Sequence, residues 1–142
     1  MDITKPVGLF EEEPRVTYCK CDLSKDFAVR DSVMPVLKPF LKQRNVILVN
    51  NAGCHSSALV ADEKVQANNH GALVRRTFNV NFFAAIDLIE CMFEHLDHVV
   101  NIASVLSALG LPALSDYSSS KAALTAYHES LYFEIRKRQV CI

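Results

Sequence analysis

The stretch V-I-L-V-N-N-A-G occupies residues 46–53 and joins an unbroken apolar run to a polar turn that ends in glycine. A short run that is apolar on both faces is typical of a central strand in a parallel sheet, where other elements cover each side. The segment 50–53 then marks the carboxyl end of that strand, because asparagine and glycine favour turns. These eight residues therefore predict a buried parallel strand that opens into a turn.

On either side of this strand the chain alternates between strand-like and helix-like patterns. Ser24 is suited to cap the first helix, and Pro35 and Pro39 fall inside its pattern, so we expect that helix to be kinked or split. The alternation predicts an α/β fold with a doubly wound parallel sheet in one domain over residues 1–142. The predicted elements are strands at 15–21, 46–49, 98–102 and from 140, and helices at 24–40, 72–95 and 115–138.

Three polar segments follow three of the predicted strands. Asp22 follows the first, the turn 50–53 follows the second, and Ser104 follows the third. In an open parallel sheet, ligands bind outside the carboxyl ends of the strands. The three segments are therefore expected to meet at one crevice.

Tyr117 and Lys121 stand four residues apart in a predicted helix, so their side chains lie on one face, one turn apart. A phenol has an ordinary pKa of about 10, and a nearby ammonium favours the phenolate and lowers that pKa. The pair can therefore supply a proton donor or acceptor for a carbonyl and alcohol couple. The alternative is an exposed helix pair worth a few tenths of a kcal/mol.

Ser104, Tyr117 and Lys121, in this order and at these separations, together with N-N-A-G at 50–53, resemble the short-chain dehydrogenase/reductase family. The resemblance implies an oxidoreductase that interconverts an alcohol and a carbonyl by hydride transfer. It makes Tyr117 the general acid or base, Lys121 the residue that lowers the pKa of Tyr117 and binds the nicotinamide ribose, and Ser104 the hydrogen-bond donor to the substrate oxygen. It makes Asn81 the fourth member of a catalytic tetrad, holding a water that relays protons to Lys121.

The resemblance also assigns residues to a dinucleotide cofactor, NAD or NADP, because none of these side chains carries hydride. Asp22 and Leu23 would contact the adenine end, although Asp22 could equally be a helix-capping residue. Asp2 resembles the acidic end of the second strand in retinol and hydroxysteroid dehydrogenases, which favours NAD, although it could equally belong to a disordered chain terminus. The turn that passes close to the cofactor is alternatively an ordinary strand-ending turn; its residues are Asn50, Asn51, Ala52 and Gly53.

The sequence departs from the family at both ends. With four glycines and no glycine-rich cluster, it lacks the turn that receives the pyrophosphate, and it ends before the family's substrate loop. The expectation is a partial Rossmann-like domain without the first strand–helix unit, which binds NADH weakly. The alternative to an enzyme is a truncated, inactive fragment that serves as a dimerisation module through the helices 72–95 and 115–138.

Composition excludes several other classes of function. A net charge of −1 gives no reason to expect nucleic acid as a partner. We expect the five cysteines to be reduced thiols, no metal site, and an intracellular, cytoplasmic protein, since no signal peptide is evident. Full-length relatives often carry a membrane anchor. The family implies a small-molecule alcohol or carbonyl as substrate, with lipophilic compounds among the candidates.

Overall fold

The structure, a computed structural model, describes residues 16–41, 46–57, 59–60 and 69–135. Strand β1 covers Val46–Asn50 and strand β2 covers Leu96–Asn101. The two strands pair in parallel, as predicted, and Asn50 and Asn101 stand side by side at their carboxyl ends. Among the described residues these two strands form the sheet.

The connection between the strands is a long helix, α2, which spans 70–92 and is followed by a tight turn at Phe93–His95. Parallel neighbours need such a crossover, because both strands must run in the same direction. Asn69 precedes the helix at φ 61° and its side chain accepts a hydrogen bond from the N–H of Ala72, which caps the first turn. The helix therefore starts two residues before the predicted Ala72.

The middle of α2 is a wider turn at Asn79–Phe83, in which the N–H of Ala84 bonds to the carbonyl of Asn79 five residues back. Such insertions into an α-helix are rare and often occur at functional sites. Here the widened turn carries Asn81, whose side chain is buried.

Helix α1 spans 29–37 and is divided into a wide turn, Val29–Val33, and an α-helical turn, Met34–Leu37. Pro35 stands in the first turn of the second part. The backbone stays helical at the junction of Val33 and Met34, so the helix changes its hydrogen-bond pattern there without a break. The predicted start at Ser24 is wrong. The N–H and hydroxyl of Ser24 both donate to the Asp22 carboxylate, at 3.1 and 2.7 Å, and form a local turn in place of a helix cap.

The third helix, α3, covers Ser115–Ile135 and packs with α1 and α2 on one face of the sheet. Its residues Leu131 and Ile135 join an apolar cluster built from all three helices and both strands. The other members with under a tenth of their surface exposed are Val29, Met34, Leu41, Ala84, Ile89, Met92, Leu96 and Val99.

Two expectations about the sheet are wrong for the described residues. Residues 16–22 form no strand, because a strand is defined by hydrogen-bonded pairing, and among the described residues β1 and β2 pair only with each other. Strand β1 is not buried on both faces, because the described helices all pack on the same face of the sheet. Ile47 and Val49 are 60% and 55% exposed, and Val100 beside them on β2 is 42% exposed.

The remaining expectations fall on residues that are not described. Asp2, the strand predicted from 140 and the end of the last predicted helix at 136–138 lie outside the described residues. In the described part of the chain, no helix combines the length and the apolar character that crossing a bilayer requires. Cys19, Cys21, Cys54 and Cys91 are free thiols.

Candidate active site

The turn after β1 forms a wall between two cavities. The first, which we call the Asp22 cavity, has a volume of about 400 Å³. It contains five of the residues predicted to bind a cofactor, together with Arg76 and Val80 of α2. Those five residues are Asp22, Leu23, Asn51, Ala52 and Gly53.

The second cavity, which we call the Tyr117 cavity, has a volume of about 360 Å³ and contains the predicted tyrosine and lysine. It shares Asn51, Gly53 and Cys54 with the Asp22 cavity, so the two spaces adjoin across this turn. Its other lining residues are His55, Ile102, Ala103, Tyr117 and Lys121. Of the three segments expected to meet at one crevice, the turn at 51–53 contributes to both cavities and Asp22 to the first, whereas Ser104 lines neither.

Lys121 is 3% exposed, and its Nζ lies 5.9 Å from the centroid of the Tyr117 ring. The ammonium donates a 2.6 Å hydrogen bond to the carbonyl of Ile102, at the end of β2. Burial lowers the pKa of Lys121. No carboxylate of the described residues lies within ion-pair distance of this amine.

Tyr117 is half-buried on the first turns of α3. Within the described part of the chain its phenol hydroxyl makes no hydrogen bond, so the hydroxyl is available to a ligand. The ring meets the His55 ring edge to face, with centroids 6.1 Å apart and planes at 85°.

Ser104 has an extended backbone, and its Oγ accepts a hydrogen bond from the N–H of Leu106 at 3.2 Å. It caps the short turn Val105–Ser107, and its own O–H is left to donate elsewhere. Ser104 is not among the residues that line the Tyr117 cavity, whereas the two residues before it are. The Ser107 hydroxyl is buried and has no partner among the described residues.

Asn81 is 1% exposed and holds the turn between the cavities. Its Oδ1 accepts from the N–H of Cys54 at 2.7 Å, and its Nδ2 donates to the Cys54 carbonyl and to the Ser120 hydroxyl, both at 2.9 Å. Both amide hydrogens are therefore used, and one acceptor site on Oδ1 remains.

Gly53 lies against Asn81 of α2 and Lys121 of α3. A Cβ placed on Gly53 would be 3.6 Å from Asn81 Oδ1 and 3.8 Å from Lys121 Nζ. The absence of a side chain keeps the wall between the cavities thin.

Asn50 does not bring its side chain to either cavity. It is 8% exposed, and its Nδ2 donates to the Oδ1 of Asn101 at 2.8 Å. The Nδ2 of Asn101 in turn lies 3.1 Å from Nδ1 of His128. Asn50 thus ties the ends of the two strands to α3, on the packed face of the sheet.

Asp22 is exposed, and hydrogen bonds from the side chain and backbone of Ser24 hold the pKa of its carboxyl below the ordinary value. Asn79, two residues before Asn81, is half-buried and donates to the Ser24 carbonyl at 2.8 Å. It also donates to Asp26 at 3.1 Å, so α2 positions the segment that carries Asp22.

Three residues near the site were not foreseen: Asp116, Thr77 and His55. Asp116, next to Tyr117, is 2% exposed and accepts from the Thr77 hydroxyl at 2.6 Å and the Ser56 N–H at 3.0 Å. Burial raises the pKa of Asp116, but hydrogen bonds from Thr77, Ser56 and Tyr117 outweigh it and lower the pKa overall. An acidic residue in a first helical turn was a weak signal, since helix ends favour acids anyway.

Comparison with known sequences gives one family. The family model described as short chain dehydrogenase matches residues 5–142. The chain is 31% identical over 131 residues to the uncharacterized oxidoreductase TDA5 of Saccharomyces cerevisiae, covering 89% of this chain and 38% of that protein. It is 36% identical over 97 residues to the dehydrogenase RED3 of Cochliobolus heterostrophus, covering 65% of this chain and 46% of that protein.

Among solved structures, the fold is similar to an oxidoreductase of the short chain dehydrogenase/reductase family from Brucella ovis, in complex with a partially ordered NAD. The TM-score is 0.70 at 27% identity, covering 86% of this chain and 57% of that chain. The chain spans about half the length, or less, of the curated relatives it matches.

Proposed function

This chain belongs to the short-chain dehydrogenase family, and we propose on that basis that it is an NAD(P)-dependent oxidoreductase that interconverts an alcohol and a carbonyl. Tyr117 is its general acid in reduction and its general base in oxidation. The observation that carries the proposal is the adjoining pair of cavities. One is lined by Asp22 and Leu23, the other by Tyr117 and Lys121, and Gly53 belongs to both.

The residues around the two cavities fit a dinucleotide. Asp22 and Leu23 would hold its adenine end, the backbone at Asn51, Ala52 and Gly53 would run along its middle, and Lys121 would meet the nicotinamide ribose. The thin wall at Gly53 supports this assignment, because an extended ligand has to pass close to backbone there. When bound, the nicotinamide supplies the hydride that no side chain of the protein can supply.

The side chains of the Tyr117 cavity manage the proton. In reduction, the phenol of Tyr117 donates its proton to the carbonyl oxygen while the carbonyl carbon gains hydride, which gives the alcohol. Lys121 keeps a positive charge beside the phenol, held in place by its bond to the Ile102 carbonyl. Ser104, oriented by its bond from Leu106, would donate its O–H to the same substrate oxygen.

Asn81 supports this chemistry in two ways. Its amide holds the turn that separates the cavities, through its bonds with Cys54. The acceptor site left on Oδ1 would bind a water that passes protons to Lys121, as the family resemblance implies.

The preferred cofactor is NAD, by the proposed alignment of Asp2, because a carboxylate bonds the ribose 2′-hydroxyl and repels a 2′-phosphate. The experiment compares kcat/KM for NADH and NADPH in reduction of a panel of ketones and aldehydes. Turnover that is faster with NADH supports the proposal. If none of the carbonyls causes a loss of NADH absorbance at millimolar cofactor, the proposal is contradicted.

A second candidate is a non-catalytic dimerisation module, because the chain matches only part of each relative's length. Exposed aromatic side chains on the two long helices favour self-association in either case. Phe83 on α2 is 50% exposed, and Tyr132 and Phe133 on α3 are 47% and 68% exposed. We propose a homodimer through these helices, which sedimentation velocity would detect.

A further inference from the structure

Among the described residues, His55 lines the same cavity as Tyr117 and Lys121. Its ring packs edge to face against the Tyr117 ring, with centroids 6.1 Å apart. A ligand whose reacting oxygen is bound by Tyr117 therefore has His55 as an immediate neighbour.

The His55 ring is held in a defined position. The Oγ of Ser57 lies 2.7 Å from its Nδ1, which leaves Nε2 as the ring nitrogen available to a ligand. Ser57 has φ 52°, in the left-handed region that few non-glycine residues adopt. Such conformations persist where the surrounding structure imposes them, and they are concentrated at functional sites.

The backbone next to His55 is hydrogen-bonded to a buried carboxylate. The N–H of Ser56 donates to Asp116, which is 2% exposed and also accepts from Thr77. These bonds direct the Asp116 carboxylate toward Thr77 of α2 and the backbone of Ser56. None of the described residues that line the Tyr117 cavity is acidic.

The cavity therefore presents hydrogen-bond donors and positive charge without an acidic counterpart. Its polar side chains are Asn51, His55, Tyr117 and Lys121, and burial of Lys121 is balanced only by a backbone carbonyl. A buried cation without a paired anion is electrostatically unfavourable, so an anionic group in the cavity would be stabilised.

We propose that His55 recognises a carboxylate on the substrate, and that the substrate class is small oxo acids and the corresponding hydroxy acids rather than lipophilic alcohols. This inference rests on the proposed function. In reduction, the carbonyl carbon gains hydride from the nicotinamide, the carbonyl oxygen gains the proton of Tyr117, and the carboxylate stays ionised against His55. Because the two rings are in edge-to-face contact, the carboxylate is expected close to the carbonyl in the substrate.

The test compares acetoacetate with its methyl ester, which has the same ketone without the charge. For the wild-type protein we expect kcat/KM to favour the acid roughly 10- to 100-fold, the value of one hydrogen bond to a charged group. His55→Leu should remove that preference by raising KM for acetoacetate more than KM for the ester. His55→Gln keeps a neutral donor and should retain part of it. His95→Leu, on an exposed histidine in the turn before β2, is the matched control and should change nothing.

Failure of this inference and failure of the proposed function give different results. Turnover of both ketones with equal kcat/KM, or an acid preference that survives His55→Leu, overturns the role of His55 and leaves the oxidoreductase intact. If neither ketone is reduced, the His55 imidazole resonances are followed by NMR as acetoacetate or the ester is added. A shift with the acid alone supports the carboxylate site without catalysis, and no shift with either overturns it.

Discussion

Asn81 and Cys54 are joined by two opposed hydrogen bonds, in which the Asn81 side-chain amide acts as a strand-like partner to the Cys54 backbone. The side-chain oxygen accepts at 2.7 Å and the side-chain nitrogen donates at 2.9 Å. Because Asn81 lies in the widened turn of α2, this pair connects the crossover helix to the turn that divides the two cavities. A residue expected for catalysis therefore also fixes the geometry of the site.

The first prediction concerns this pair. Asn81→Ala should lower the free energy of unfolding by about 2–3 kcal/mol, since it removes three hydrogen bonds from a buried position. Asn79→Ala, two residues away and half-buried, is the control and should cost about 1 kcal/mol. Urea unfolding measures both, and an equal loss for the two variants would show that the Cys54 bonds have no special weight.

The second prediction concerns the buried amine. Burial lowers the pKa of Lys121 below its ordinary 10.5. At pH values between this lowered pKa and 10.5, the unfolded chain binds more protons than the folded chain. The free energy of unfolding of the wild type should therefore rise with pH through that window. Lys121→Met, which lacks this ionisation, should be at least as stable as the wild type at pH 7 and lose that relative advantage toward pH 10.5.

Urea titrations of both proteins from pH 7 to 10.5 provide the measurement for Lys121. The same variant should lose carbonyl reduction by about 100-fold or more, because the charge beside Tyr117 is gone. A variant markedly less stable than the wild type at pH 7 would mean that the Ile102 hydrogen bond outweighs the unfavourable burial of the charge.

The third prediction concerns the wall between the cavities. Gly53 does not adopt a positive φ, and an added methyl meets its neighbours at ordinary contact distances, so Gly53→Ala should change stability by less than about 1 kcal/mol. The methyl would occupy space proposed for the cofactor, and KM for NADH should rise about tenfold. Gly110→Ala is the control, since nothing lies within 4 Å of its added Cβ. An unchanged KM for Gly53→Ala would place the cofactor elsewhere.

The fourth prediction concerns self-association. Phe133→Glu places a charge on the most exposed aromatic side chain of α3 and should convert the dimer to monomer in sedimentation velocity. Phe40→Glu, an equally charged change at a 47% exposed phenylalanine after α1, should leave the dimer intact. Dissociation by both substitutions would point to general destabilisation rather than an interface on α3.

Much of the fold could be predicted because local patterns agree with the tertiary structure. The apolar run at 46–49 did form a parallel strand, and α1 does change its hydrogen-bond pattern next to Pro35. The one-sided burial of β1 could not be predicted, because it depends on which other segments cover the sheet. The start of α1 was missed because Ser24 bonds to Asp22, and a serine hydroxyl can cap a helix or close a turn equally well.

The site shows the same division. The four-residue spacing of Tyr117 and Lys121 in one predicted helix was visible in the sequence. So was Asn81, an asparagine inside another predicted helix. The use of Asn50 to tie the strand ends depends on its alignment with Asn101, which lies 51 residues away. The hydrogen bonds of Asp116 with Thr77 and Ser56 likewise join segments far apart in the chain, so no local sequence pattern predicts them.

The most direct test of the central claim, that Tyr117 transfers the proton in an oxidoreductase, is kcat/KM for carbonyl reduction by Tyr117→Phe. The variant keeps the ring and loses only the hydroxyl, so activity should fall by about 100-fold or more while the protein stays folded. Tyr127→Phe, which keeps the ring contact with Phe82, is the control and should retain activity. Near-wild-type kcat/KM for Tyr117→Phe would contradict the assignment of this phenol as the catalytic acid.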